Sequence, residues 1–479
     1  MLHWIGDLLR WLLNLLRRLF RLGRDNGPHD GHDNGHGTDH VREPPLPSEL
    51  GETTGAVGSG GTYVYVKRQL LVGDEDLGAV LDLLERLCHH RVPRKEVERV
   101  PLPGLKVTKL LLPASAPTVP QIMDALRDDD RGQPLAVGPN TAVAWASHPG
   151  LIPAGPPVPA STSQAQRDQL EQVIEGAAQT ETVGQVLVGV LDTGIADHPW
   201  LRNRSTSRGA VDLDEPDRDN DGALDFSAGH GTFIAGAILQ YAPQAWLAVR
   251  RLQTSTSGPP PHQGYATDAE LAAGLSDWST APDFRQLRVL NLSIGGYTYD
   301  GAGLLATERA LQQCRRANPD LVVVAGAGND DTNRPFFPAA FKDVVAVAAL
   351  TDGPTDQRAC FSNKGWWVDA CAPGVGLVST FPRWQNRPIA AYPAPSPSCR
   401  GVVPTTTTGN VNFDLVAEWR GTSFAAPIVA AWIAQRIATG NVTGLQAVLD
   451  LKGTIGAPGT LPGLGQWLPA LGRVVRPPF

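Results

Sequence analysis

The chain has 479 residues, 42% of them hydrophobic, with a net charge of −7. That length supports a large core and about two to four domains, and the acidic balance excludes a general basic field for nucleic acid. Five cysteines (Cys88, Cys314, Cys360, Cys371 and Cys399), odd in number and without C-x-x-C spacing, argue against a disulfide framework and for a mostly reduced, cytoplasmic protein.

Residues 1–24 have the period of a helix, about 33 Å long. Arg10, Arg17, Arg18, Arg21 and Arg24 share one arc with Asp7 and Asn14, opposite Ile5, Leu8, Leu12, Leu16 and Leu19. Arginines near a bilayer centre cost about 2.5–3.5 kcal/mol each, so the expected place is the membrane surface; docking on protein is the alternative. No basic leader or small-residue cleavage motif makes this a conventional signal peptide. Residues 25–61 are rich in Gly, Asp, His and Pro and read as a flexible linker. His29, His32, His36 and His40 within it are either solvated chain or a metal-holding tract.

Periodicity returns over residues 62–146. Apolar runs at 63–72, 97–102, 106–112 and 141–146 alternate with helical stretches at 77–88 and 118–127, the order β-α-β-β-α-β of a small ferredoxin-like α+β domain. A Pro-rich linker at 147–162 marks a boundary. Over 163–479, Val/Ile/Leu-rich runs at 186–192, 246–252, 288–294, 321–327 and 343–350 alternate with helices. The expectation is an α/β domain with a parallel central sheet covered on both faces.

Sites in such sheets form beyond the carboxyl ends of the strands, where Asp192, Ser293 and Asn329 fall. Asp192, in VLVGVLDTG, is either a turn aspartate or a carboxylate that orients an imidazole. His230, in GHGTFIAG, is followed by an apolar helical run that would fix its ring. Ser423, in RGTSFAAP, starts a helix whose free N–H groups favour negative charge; simple capping is the plainer role. Asp217, Asp219, Asp221 and Asp225 surround Gly222 with oxygen spacing like the first part of a calcium loop, although no Glu takes the twelfth position, so a solvated acidic loop remains open.

The segments DTG, HGTFIAG and GTSFAAP, in this order, resemble the three signature segments of the subtilase family over about residues 163–460. The resemblance implies a serine endopeptidase with Asp192, His230 and Ser423 as triad, and Asn329 as oxyanion donor in VVVAGAGND. It also implies that Ser293, Gly295 and Gly296 line the strand that pairs with substrate. Gly326, Ala327 and Gly328 would wall the pocket for the residue before the scissile bond, with room for a large side chain. Asp330 and Asp331 would either favour a basic residue there or be solvated. The stretch 382–418 is longer than the family usually has, and Phe233 stands where a second histidine is common. No cofactor is implied for the chemistry, and structural calcium is frequent in the family. Residues 62–146 resemble the family's prodomain, with a permanent accessory domain as the alternative. The rival function is a noncatalytic peptide-binding or membrane-associated scaffold.

Overall fold

The computed structural model describes residues 49–54, 62–87, 92–128, 134–145, 154–176, 186–252, 265–351, 357–389, 399, 409–453 and 466–467. The expected helix at 1–24, the histidine-rich part of the linker and residues 147–153 of the Pro-rich stretch lie outside them. Among the described residues, no helix is long and apolar enough to cross a membrane.

The first part of the chain forms β1 (Leu50–Thr54), β2 (Thr62–Gly73), α1 (Leu77–Leu87), β3 (Glu98–Leu102), β4 (Val107–Leu111), α2 (Val119–Asp128) and β5 (Val137–Ala144). From β2 onward these bounds fall within a few residues of the apolar runs in the sequence; β1 instead corrects the flexible-linker expectation for residues 25–61, because Leu50–Thr54 pairs with β2 and buries Leu50. β2 pairs antiparallel with β1, β4 and β5, and β3 pairs with β4. Leu70, Leu71 and Val72 are consecutive and all buried, so both faces of β2 are covered. Burial of each such side chain stabilises by about 1.5–3 kcal/mol.

The chain continues through β6 (Val158–Pro159), α3 (Gln164–Gly176), β7 (Val186–Asp192), β8 (Ser205–Thr206), α4 (His230–Tyr241), β9 (Ala245–Arg251), β10 (Tyr265–Thr267), α5 (Asp268–Thr280), β11 (Leu287–Leu292) and α6 (Leu305–Ala317). Then follow β12 (Val322–Gly326), β13 (Val344–Leu350), β14 (Ala370–Pro373), β15 (Leu377–Thr380), β16 (Trp384–Arg387), β17 (Val411–Phe413), β18 (Val416–Trp419), α7 (Thr422–Gly440), α8 (Gly444–Gly453) and β19 (Gln466–Trp467). The central sheet has the order β19-β14-β13-β12-β11-β7-β9-β8, with every neighbouring pair parallel.

Successive side chains on its strands face opposite cores. Val188, Val190, Val289 and Val324 pack with Phe233, Ile234 and Ile238 of α4 and Phe424 and Ile428 of α7. Leu287, Leu290, Leu292 and Val323 pack with Leu271 and Leu275 of α5 and Leu311 of α6. That second core runs on without a break into Tyr63, Leu70, Leu84 and Ile122 of the N-terminal sheet. Polar contacts reinforce the join: Glu75 pairs with Arg309, and Asn140 accepts from the Ala269 N–H while donating to Gln69. Residues 43–479 accordingly make one compact unit.

Two further features differ from the sequence reading. Cys360 and Cys399 form a disulfide, with Cα atoms 5.4 Å apart across 39 residues of sequence, a closeness that spacing alone does not reveal. Cys314 and Cys371 are buried and outside the disulfide. The end of the Pro-rich stretch is also built into the fold: β6 pairs with β18, and the Gly155 carbonyl accepts from the Trp419 indole at 3.0 Å. Proline is tolerated there because β6 is an edge strand.

Candidate active site

Strand order reverses between β7 and β11, and the cleft opens beyond the carboxyl ends of these two strands. Asp192 is the last residue of β7, and its position fixes a carboxylate at the cleft floor. His230 begins α4 behind Gly229, whose φ of 79° is the left-handed conformation that glycine adopts without strain. A Cβ at Gly229 would also lie 2.5 Å from the Phe381 ring, so no other residue fits that turn. Ser423 is the second residue of α7, among the free N–H groups of a helix start.

The His230 Nδ1 lies 2.8 Å from Asp192 Oδ1, and both side chains are fully buried. Thr193 N–H donates to the same carboxylate oxygen at 2.8 Å. The imidazole sits edge-on to Trp419 and beside Phe424, with ring centroids 5.6 and 5.1 Å away. Phe233 stacks behind them, 4.5 Å from the Phe424 ring, so an aromatic packing contact occupies the place of the missing second histidine. The His230 Nε2 is buried and accepts or donates no hydrogen bond among the described residues.

Asn329 follows β12. Its Oδ1 accepts from the Thr422 N–H at 2.9 Å and the Thr422 hydroxyl at 3.0 Å. Because the backbone N–H can only donate, the amide is fixed with its NH2 as the group left to face the cleft. The Ser293 hydroxyl accepts from Asn291 and donates to the Ser423 carbonyl at 2.8 Å, so this side chain braces the nucleophile's backbone. Gly295 and Gly296 do line a strand groove, and it is filled by this chain. The Ala144 N–H donates to the Gly295 carbonyl at 2.9 Å, and Gly295 N–H returns a bond to Ala144 at 3.0 Å. The Ser423 hydroxyl donates to the Trp145 carbonyl at 2.9 Å. A Cβ at Gly296 would lie 2.6 Å from the Ala142 carbonyl, so glycine is what admits β5 so closely.

Trp145 and Asp214 were not singled out by the sequence. For Trp145 a signal existed, since it stands near the end of the last apolar run before the prolines. Asp214 is visible only in three dimensions: its Oδ2 accepts from the Thr193 hydroxyl at 3.0 Å and the Gly229 N–H at 2.9 Å. It thereby ties the turn after Asp192 to the turn before His230. Burial pushes its carboxyl up to about 7, only partly offset by these two bonds. The folded chain then holds a proton that the unfolded chain releases near pH 4, so this group's stabilisation is present below about pH 4 and lost as pH rises through about 7. Asp214→Asn keeps the accepting oxygen and removes the titration. Its melting temperature is expected to overtake that of the wild type by about 2 °C or more between pH 5 and 7.5; parallel curves would exclude this role.

Of the aspartate loop, the structure brings Asp217, Asp219 and Asp225 together, with one oxygen from each within 4.8 Å of the others. Asp221 is not part of that group and accepts from the Ala223 N–H. Burial, then repulsion from Asp219, Asp217 and Asp221, pushes the Asp225 carboxyl up to about 7, which marks a site with surplus negative charge. Arg387 pairs with Asp217.

Residues 184–449, more than half of the chain, match the model of the subtilase family. The chain belongs to the subtilase family. It is 33% identical over 204 residues to a thermostable alkaline protease from Halalkalibacterium halodurans, covering 40% of this chain and 49% of that protein. It is 33% identical over 227 residues to thermitase from Thermoactinomyces vulgaris, covering 45% of this chain and 72% of thermitase. The chain thus spans about half the length of the first of these relatives. Among solved structures, fervidolysin from Fervidobacterium pennivorans matches with a TM-score of 0.53 at 23% identity, covering 84% of this chain and 60% of fervidolysin. That likeness extends the shared fold beyond the family segment. The subtilase architecture, a parallel sheet with helices on both faces, is the one expected from the sequence.

Proposed function

We propose that this chain is a serine endopeptidase, with Asp192, His230 and Ser423 as its triad, made in a self-inhibited form. The observation that carries the reading is the 2.8 Å Asp192–His230 bond at the carboxyl end of β7, with the other imidazole nitrogen unengaged and Ser423 already bonded to a peptide carbonyl. In the reaction, a substrate carbonyl carbon takes the place beside Ser423 Oγ. The hydroxyl proton passes to His230 Nε2 as the Oγ–C bond forms, and Asp192 stabilises the imidazolium. The oxyanion accepts from the Asn329 NH2 and the Ser423 N–H. His230 then gives its proton to the leaving amine, and water repeats the sequence to release the acyl group. The removal of one such oxyanion donor typically costs about 2.7–4 kcal/mol in the transition state. Labelling by a fluorophosphonate probe, mapped to Ser423 and lost in Ser423→Ala, tests the assignment; a probe that modifies neither the folded wild type nor Ala144→Pro, which loosens β5 from the cleft, refutes it.

The Asp217, Asp219 and Asp225 oxygens suit a hard cation, and calcium is the proposed occupant, in a structural role. Calcium in excess over its dissociation constant is expected to raise the melting temperature by mass action, most strongly above pH 7 where Asp225 is ionised. Identical melting curves with calcium and with chelator would dismiss it.

A further inference from the structure

We propose that Phe336 closes the pocket for the residue before the scissile bond and restricts that residue to a small side chain such as alanine. The inference rests on the reading of Ser423 as nucleophile and deepens it. The pocket beside Ser423 is walled by Ser293, Ile294 and Gly295 on one side and by Gly326, Gly328 and Asn329 on the other. Glycine walls alone would admit a large side chain. The Phe336 ring, however, occupies the space between them: a Cβ at Gly295 would lie 2.4 Å from its Cε1, and a Cβ at Gly328 would lie 3.0 Å from its Cγ.

The ring is buried and held from behind. Tyr297 packs edge-on to it with centroids 5.1 Å apart, donates to Asp330 at 2.7 Å and accepts from Asn363 at 2.8 Å. The Arg334 guanidinium lies over the Tyr297 ring, 4.3 Å from its centroid. Retreat of Phe336 would have to displace this whole network, in an interior packed without slack. The carboxylates are also committed: Asp330 to Tyr297, and Asp331 to Arg358 at 2.7 Å and Lys364 at 3.6 Å. Neither lines the pocket, so nothing there calls for a basic side chain.

The test compares two peptidyl diphenyl phosphonates, Ala-Ala-Pro-Ala and Ala-Ala-Pro-Phe, on the full-length protein. In each, a Ser423 Oγ–phosphorus bond forms, one phenoxide leaves, and the hydroxyl proton departs with it as phenol. Both probes must displace the same β5 segment from the cleft, so the ratio of their rates reports the pocket alone. The alanine probe is expected to label at least about tenfold faster. Phe336→Ala should invert that preference, and Phe336→Leu should narrow it while retaining more of the core. A wild type that labels equally or faster with the phenylalanine probe overturns the inference, as does an unchanged ratio in cooperatively melting Phe336→Ala or Phe336→Leu protein. Labelling by neither probe, nor by a fluorophosphonate, overturns the nucleophile assignment itself and the inference with it.

Discussion

Ser423→Ala and His230→Ala are each expected to lower kcat for peptide hydrolysis by about 10⁶-fold, and the double variant no further, because nucleophile and base act as one unit. That scale is the one known from subtilisin triad variants, and the proposed triad of Asp192, His230 and Ser423 carries the same expectation. The two substitutions should part company in stability. Ser423→Ala removes one hydroxyl, whose only described partner is the Trp145 carbonyl, so the fold should be retained with little change in melting temperature. His230→Ala leaves the buried Asp192 carboxylate without its imidazole and opens a hole between Trp419 and Phe424. An uncompensated buried charge and a lost aromatic contact both destabilise, so its melting temperature should fall clearly. Hydrolysis within about tenfold of the wild type in either purified variant would overturn the triad.

Much of this site was legible because its chemistry is local in sequence. A strand ending in Asp192, a Gly-His-Gly turn opening an apolar helix and a Gly-Thr-Ser helix start each carry their geometry in a few adjacent residues. The strands were legible for a similar reason: a parallel strand covered on both faces, such as Val344–Leu350, reads as an unbroken apolar run. What escaped were relations between distant segments. Asp214 acts by bridging Thr193 and Gly229, Phe336 meets a pocket wall at Ser293–Gly295 from a separate segment of the chain, and Cys360 meets Cys399 from outside the long 382–418 stretch. Ser293 shows the same limit at finer scale, because its strand was foreseen while its hydroxyl's bond to the Ser423 carbonyl was not. The prodomain-like elements were found by periodicity, but no pattern in residues 62–146 announces that their core merges with that of α5 and α6.

The last expected result concerns that merged segment: the wild type should cleave itself after the N-terminal sheet, and Ser423→Ala should remain full length. β5 lies antiparallel between β2 and β10, and its end is clamped to Gly295 by two backbone bonds of 2.9 and 3.0 Å. This is strand addition, the way an extended peptide binds a sheet edge, with the chain acting as its own ligand. Ser423 already donates to the Trp145 carbonyl, so the cleft holds the chain just ahead of the expected cleavage range, and Trp145 borders a pocket with Thr193, Leu252 and Phe226. Tethering holds this segment at an effective concentration on the order of millimolar, so cleavage should be first order and its rate independent of protein concentration. The catalytic fragment should begin between residues 147 and 185, and external peptides should be hydrolysed slowly until β5 is displaced. Ala144→Pro offers a check within the full chain. Proline removes the N–H that donates to Gly295, so β5 should seat poorly, self-cleavage should slow by about tenfold or more, and fluorophosphonate labelling of Ser423 should speed up. If the wild type stays one chain while fully active on external peptides, and Ala144→Pro changes neither rate, the N-terminal sheet is a permanent accessory of the catalytic domain and the self-inhibited reading falls.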